Sequence, residues 1–233
     1  MPLSSRPHGA EHGPVVSETD LVAFLDESKK PVRDPAARGA VQGQYHYVIA
    51  SAVVLSGDLQ RLRDELSRLA PPPGVPLHYG DIKGAEGRQR CAEAVAGVDS
   101  WDGFVYETAA PVSERGAAEH FVRSKLLQAA LVGLTHEQGV VAVTLESRAK
   151  PSSGFHQLDA KDHQVLQKLV SRNEVPARLR LAHGTKLEPL LWIPDTLAGA
   201  RTDHLCAVNR IPYAPLGARV RGVVAVPLAR RFR

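Results

Sequence analysis

The chain has 233 residues, 43% hydrophobic and 23% charged, with 29 Lys and Arg against 25 Asp and Glu for a net charge of +4. At about 100–200 residues per domain this is one large domain or two small ones, and the near-average composition excludes a wholly disordered chain. No apolar run reaches the ~18 residues of a membrane span, and Cys91 and Cys206 are too few for a disulfide scaffold or a cysteine zinc site.

In chain order, residues 1–20 are rich in Pro, Ser, Gly and His and lack the apolar stretch of a secretory signal, so they read as a flexible arm. With no export signal, the two cysteines are expected as reduced thiols in a cytoplasmic protein. Leu21–Leu25 is a short continuous apolar run, the pattern of a strand covered on both faces, and it stops at Asp26-Glu27-Ser28. Residues 31–43, with Pro, Arg and Gly, read as a loop, and the β-branched and aromatic run Tyr45–Leu55 as a second strand. Asp58 is expected to cap a helix carrying Leu59, Leu62, Leu66 and Leu69 on one stripe, which Pro71 to Pro73 end.

A turn at His78-Tyr79-Gly80-Asp81 follows, then an amphipathic helix near Arg88–Ala96 and a third strand over Asp102–Thr108. A long helix is predicted over Glu114–Gln138, anchored by Phe121, Leu127, Leu131 and Leu134 and closed by Gly139. Val140–Glu146 is the fourth strand and again ends in an acid. Asp159 is read as the N-cap of a helix reaching Asn173, Arg178–Ala182 as a fifth strand, and Leu190–Leu205 as a last helix interrupted by Pro194. The succession predicts one α/β domain over residues 21–205, a mixed five-stranded sheet flanked by helices.

Charge is uneven along this order. The last acid is Asp203, and six arginines follow it, more than the whole net excess, so the body is slightly acidic and the basicity belongs to residues 206–233. That basic tail, with Pro212, Pro215 and Pro227 among valines, reads as a peripheral extended segment with an edge strand at Val223–Val226.

Ligands of α/β sheets gather at the carboxyl ends of strands, where loops surround an open crevice. Asp26 follows the first apolar run and Glu146 closes the fourth strand, so if these strands are parallel neighbours both acids project into one crevice. Asp195, in the last helix beside the small Ala198 and Gly199, is a third candidate. Three carboxylates brought together repel one another unless a cation intervenes, and hard oxygen ligands suit Mg²⁺ or Mn²⁺. An acid just past a strand also serves as a turn residue or a helix cap. Glu27 points to the opposite face from Asp26, as neighbours on a strand do.

The segments Phe24-Leu25-Asp26-Glu27-Ser28, Val48–Leu55, Leu77-His78-Tyr79-Gly80-Asp81 and Leu191-Trp192-Ile193-Pro194-Asp195-Thr196-Leu197-Ala198-Gly199, in that order, resemble the DUF3800 family. That family is related to the ribonuclease H-like fold, and the resemblance spans about residues 21–205. It implies a five-stranded sheet with helices, and carboxylates holding two divalent metals for phosphodiester hydrolysis. By position Asp26 matches the family's first-strand aspartate and Asp195 its late-helix aspartate. Glu146 falls where ribonuclease H-like proteins carry an acid after the fourth strand. Lys29 stands where the family usually has glycine, and Pro194 where it has a small residue.

The resemblance thus implies a divalent-metal-dependent nuclease acting on RNA or DNA, with Asp26, Glu146 and Asp195 as metal ligands. His78 and Asp81 can complete the site at the scissile phosphate, or form a polar loop. Glu119 is a further acid from the long helix, with a solvated helix face as the competing reading. Two other classes stay open, a non-catalytic ribonuclease H-like interaction module and a phosphoesterase acting on small nucleotides. An aromatic share of 5% disfavours a base-stacking platform. His156, Asp159, Asp162 and His163 form a second polar cluster, in which Asp159 and His163 share a helix face at zinc-ligand spacing. Gly184-Thr185-Lys186 lacks the leading glycine of a phosphate-binding loop.

Overall fold

The computed structural model describes residues 16–34, 39–70, 75–113, 119–148, 156–206, 208 and 210–228. The strands are β1 (Leu21–Asp34), β2 (Gly39–Leu55), β3 (Asp102–Thr108), β4 (Val112–Ser113), β5 (Ala142–Glu146), β6 (Arg180–Gly184) and β7 (Val220–Val226). The helices are α1 (Leu59–Leu69), α2 (Ala85–Gly97), α3 (Glu119–His136), α4 (His156–Ser171), α5 (Trp192–Leu205) and α6 (Tyr213–Gly217).

One mixed sheet runs β6-β5-β1-β2-β3-β7, with the two-residue β4 extending the β3 line along β2. β1 and β2 pair antiparallel across a short connection, β3 returns antiparallel to β2 after α1 and α2, and β5 runs parallel to β1 and β6 parallel to β5 through helical crossovers. The expected mixed α/β sheet flanked by helices is therefore present, with seven strands in place of the expected five. The surplus is β4, too short to leave a pattern, and β7, the expected edge strand lengthened to seven residues and paired parallel with β3.

Period-two alternation divides the core. Val22 and Phe24 of β1 pack with α1, α2, α5 and α6, whereas Ala23 and Leu25 pack with α3 and α4. The leucine stripe of α1 buries Leu62 and Leu66 completely, with Leu59 and Leu69 packed at the margin. In α3 the buried anchors include Leu127, Leu131 and Leu134, but Phe121 sits only half-buried, under the Lys125 ammonium.

Several boundaries differ from expectation. β1 continues to Asp34 and β2 begins at Gly39, so residues read as loop carry ladder pairing, Arg33 opposite Ala40 and Asp34 opposite Gly39. The hairpin's own hydrogen bonds sustain strand there although its side chains carry no apolar alternation. Asp58 pairs with Arg61 rather than capping α1, and Asp159 lies inside the first turn of α4. Pro194 falls in the first turn of α5, where a missing amide proton is tolerated, so the helix forms around it instead of breaking. Among the described residues no helix is long and apolar enough to cross a membrane.

Candidate metal centre

β1 and β5 are parallel neighbours in the register Phe24–Thr144 and Leu25–Leu145, which brings Asp26 and Glu146, each one residue past the last paired rung, beside each other. By alternation both share the face of Phe24 and Ala142, the face covered by α5, and Asp195 faces them from the first turn of that helix. Asp26 is not at a strand end, because β1 runs on against β2. It is the first β1 residue beyond the β5 ladder, which opens the crevice on one side only.

Burial, then the charges of Glu146 and Asp195, push the Asp26 carboxyl well above the ordinary aspartate range. The backbone N–H of Glu27, 2.7 Å from Asp26 Oδ1, partly offsets this. Among the described residues Asp26 makes no ion pair. Glu146 reaches Lys186 Nζ at 3.6 Å. Asp195 accepts from Tyr79 N at 2.7 Å through Oδ2 and meets His78 Nδ1 at 3.0 Å through Oδ1. His78 Nε2 in turn lies 3.0 Å from Lys186 Nζ. The ammonium has only protons to give, so Nε2 accepts and Nδ1 carries the proton directed at Asp195. The hydrogen bond to Asp195 raises the imidazole above its ordinary value, against burial.

Asp81 closes the turn after His78 and is exposed; its own N–H donates to His78 O at 3.0 Å. It shapes the loop that presents His78. Glu27 takes the opposite face, as alternation requires, and is held there by Arg123 Nε and, at 3.0 Å, by Arg148 Nε. Glu119 is a partly exposed helix acid paired with Lys29 at 3.1 Å and Arg148 at 3.4 Å. The sequence reading missed Lys186 and Arg123, whose partners lie far away along the chain.

The fit of a divalent cation follows from the donor set. Three carboxylates on one face, with Asp26 strained by its neighbours' charge, are the hard oxygen ligands such ions take. A second group, Asp159, Asp162 and His183, has ligand atoms within 4.8 Å of one another. His183 from β6 takes the place expected of His163, whose ring packs edge-on against it at 5.3 Å. His156 lies in α4, but its side chain is outside the described residues. Asp162 is already satisfied: Arg123 grips both its oxygens, and His183 Nε2 is 3.1 Å away. Burial would raise its carboxyl, but these bonds outweigh burial and hold it below the ordinary range. A cation there would have to displace a buried guanidinium, whereas in the first group Asp26 has no ion pair among the described residues.

No family model matches this chain, and no curated protein does either. Among solved structures it is similar to a chain of the PCNA:RNase HII complex from Archaeoglobus fulgidus, at 14% identity and a TM-score of 0.44 over 79% of this chain and 73% of that one. It is also similar to a point mutant of Bst-RNase HIII, at 12% identity and a TM-score of 0.41 over 85% of this chain and 58% of that one. Bst-RNase HIII in complex with Mn²⁺ gives 11% identity and a TM-score of 0.38, over 88% of this chain and 63% of that one.

Proposed function

We propose that this chain is a DUF3800-type, divalent-metal-dependent hydrolase of phosphodiester bonds in RNA or DNA. The observation that carries the reading is Asp26 and Glu146 side by side on parallel strands, facing Asp195, with Asp26 raised by burial and by the other two charges. Asp26, Glu146 and Asp195 would hold Mg²⁺ or Mn²⁺. Bound there, the ion supplies polarisation of a phosphoryl oxygen and activation of a water.

The chain's own residues do the rest. Asp195 orients His78 through Nδ1, and Tyr79 N fixes the other Asp195 oxygen, so the carboxylate cannot rotate away from the crevice. Lys186 stands at the half-exposed rim, where its ammonium is a group of the kind that binds phosphate, and His78 Nε2 holds it there. A nucleic acid is the partner this chemistry implies, and the cytoplasm its place of action.

The test is cleavage of labelled RNA and DNA oligonucleotides in Mg²⁺ and Mn²⁺ by wild type and Asp26→Asn. The substitution keeps size and polarity but removes the ligand charge. Metal-dependent cleavage is expected to fall by a factor of ~100 or more, the range of losing a principal electrostatic contact. Equal cleavage by both proteins would remove the proposal.

A further inference from the structure

Lys186 belongs to Gly184-Thr185-Lys186, the segment that fails as a phosphate-binding loop, yet the fold fixes it beside the acids. Trp192 Nε1 donates to Lys186 O at 2.8 Å, and Trp192 is itself buried. Glu188 N donates to Thr185 O at 2.9 Å, closing the turn that carries the lysine. Glu188 is in turn clamped by Arg63 at 2.9 Å, so the loop is tied to both α1 and α5. From this support Nζ reaches back between Glu146 Oε1 at 3.6 Å and His78 Nε2 at 3.0 Å, and His78 leads on to Asp195.

The charges around the centre then count simply. Asp26, Glu146 and Asp195 bring three negative charges when ionised. Glu27, the next acid along β1, is taken up by Arg123 and Arg148 on the other face of the sheet. Lys186 supplies one positive charge on the metal face. What is left is closed by a single divalent ion, and a second would be repelled by the ammonium, since like charges held in one part-buried crevice oppose each other.

Resting on the proposed metal-dependent reading, we infer that this centre takes one divalent cation and that the Lys186 ammonium stands in the position of the second. Lys186 is then a substrate contact as well. Its ammonium neutralises a phosphate oxygen that a second metal would otherwise meet, and the departing group leaves toward a tethered charge instead of an exchangeable ion. The expected substrate is accordingly a phosphodiester whose cleavage has a near first-order dependence on metal.

Mn²⁺ binding to the whole protein tests this, counted by calorimetry and by the loss of the free-ion paramagnetic signal, for wild type, Lys186→Gln and Lys186→Arg. The Lys186 side chain is partly exposed, so both variants are expected to fold, and circular dichroism checks it. Wild type and Lys186→Arg should each bind one ion per chain, and Lys186→Gln two. Two ions in wild type, or one ion in all three proteins, would overturn the role of Lys186 while leaving a metal-dependent centre standing. No ion in any of them defeats the metal-dependent reading itself, and this inference with it.

Discussion

Two aspartates of this fold are shifted in opposite directions, and the physical causes differ. Asp26 is raised by burial and by the like charges of Glu146 and Asp195, so its ionised form is disfavoured in the folded protein. Its contribution to stability is therefore present below the ordinary aspartate value and lost as pH rises through the raised one. Asp162 is lowered, since the bonds from His183 and Arg123 outweigh burial. Its contribution is present above the ordinary value and is lost as pH falls through the lowered one. In metal-free buffer Asp26→Asn should thus gain stability over wild type toward neutral pH, with the gain vanishing in acid. Urea unfolding from mildly acidic to mildly alkaline buffer measures it, and a wild type as stable as the variant at the alkaline end would contradict the repulsion. Saturating Mn²⁺ should reverse the order, by about 2.7 kcal/mol at a hundredfold excess over the dissociation constant. At this scale Asp26, Glu146 and Asp195 were legible in the sequence, because each stands next to an apolar element that fixes its face. Lys186 and Arg123 were not, because their partners lie across the sheet and no local pattern records such a pairing.

At the scale of elements, α5 carries a stripe of Asp195, Gly199 and Asp203, spaced four apart and so on one face. Tyr79 lies along that stripe. Its N–H binds Asp195, its ring covers Gly199, and its hydroxyl donates to the fully buried Asp203 at 3.1 Å. Lys30 and Arg88 complete the Asp203 pairing at 2.5 and 3.2 Å. A Cβ added at Gly199 would meet Tyr79 Cδ1 at 2.3 Å. The small residue admits the tyrosine ring that positions Asp195. Gly199→Ala should therefore cost about 1–3 kcal/mol of stability, the usual range for overpacking. It should also weaken Mn²⁺ binding, since displacing Tyr79 disturbs both Asp195 and the adjacent His78. A variant with unchanged urea midpoint and unchanged metal affinity would show that the contact is dispensable.

For the whole molecule, the arginine-rich segment after Asp203 is not simply a charged appendage. α6 buries Leu216 against the α5 face of the sheet, and β7 pairs along the whole of β3. Arg219 pairs with Asp99 at 2.7 Å and Arg221 with Asp102 at 2.6 Å, acids 120 and 119 residues earlier in the chain. Arg230, Arg231 and Arg233 lie outside the described residues. Cutting after Asp203 should then lower the melting temperature by stripping the edge of the sheet. The better probe of a nucleic-acid grip is the triple replacement of Arg230, Arg231 and Arg233 by Ala. It should leave the melting temperature in place and lessen the salt slope of oligonucleotide affinity, by roughly 0.7–0.9 per lost phosphate contact. An unchanged slope would assign the grip to the lysines and arginines near the metal centre instead.

By itself the sequence determined the succession of the longer strands and helices and the opposite faces of Asp26 and Glu27, because those follow from periodicities of two and 3.6 within a short stretch of chain. Only the tertiary structure decided which strands are neighbours, that Asp26 lies inside a strand, and that β7 belongs to the sheet. The same holds for the ion pairs. Glu27 and Asp162 are neutralised by guanidinium groups, while among the described residues Asp26 has none and Glu146 shares a single lysine. Coulomb interactions depend on distance in space, and the chain brings together groups on the order of a hundred residues apart that no local pattern ties to one another.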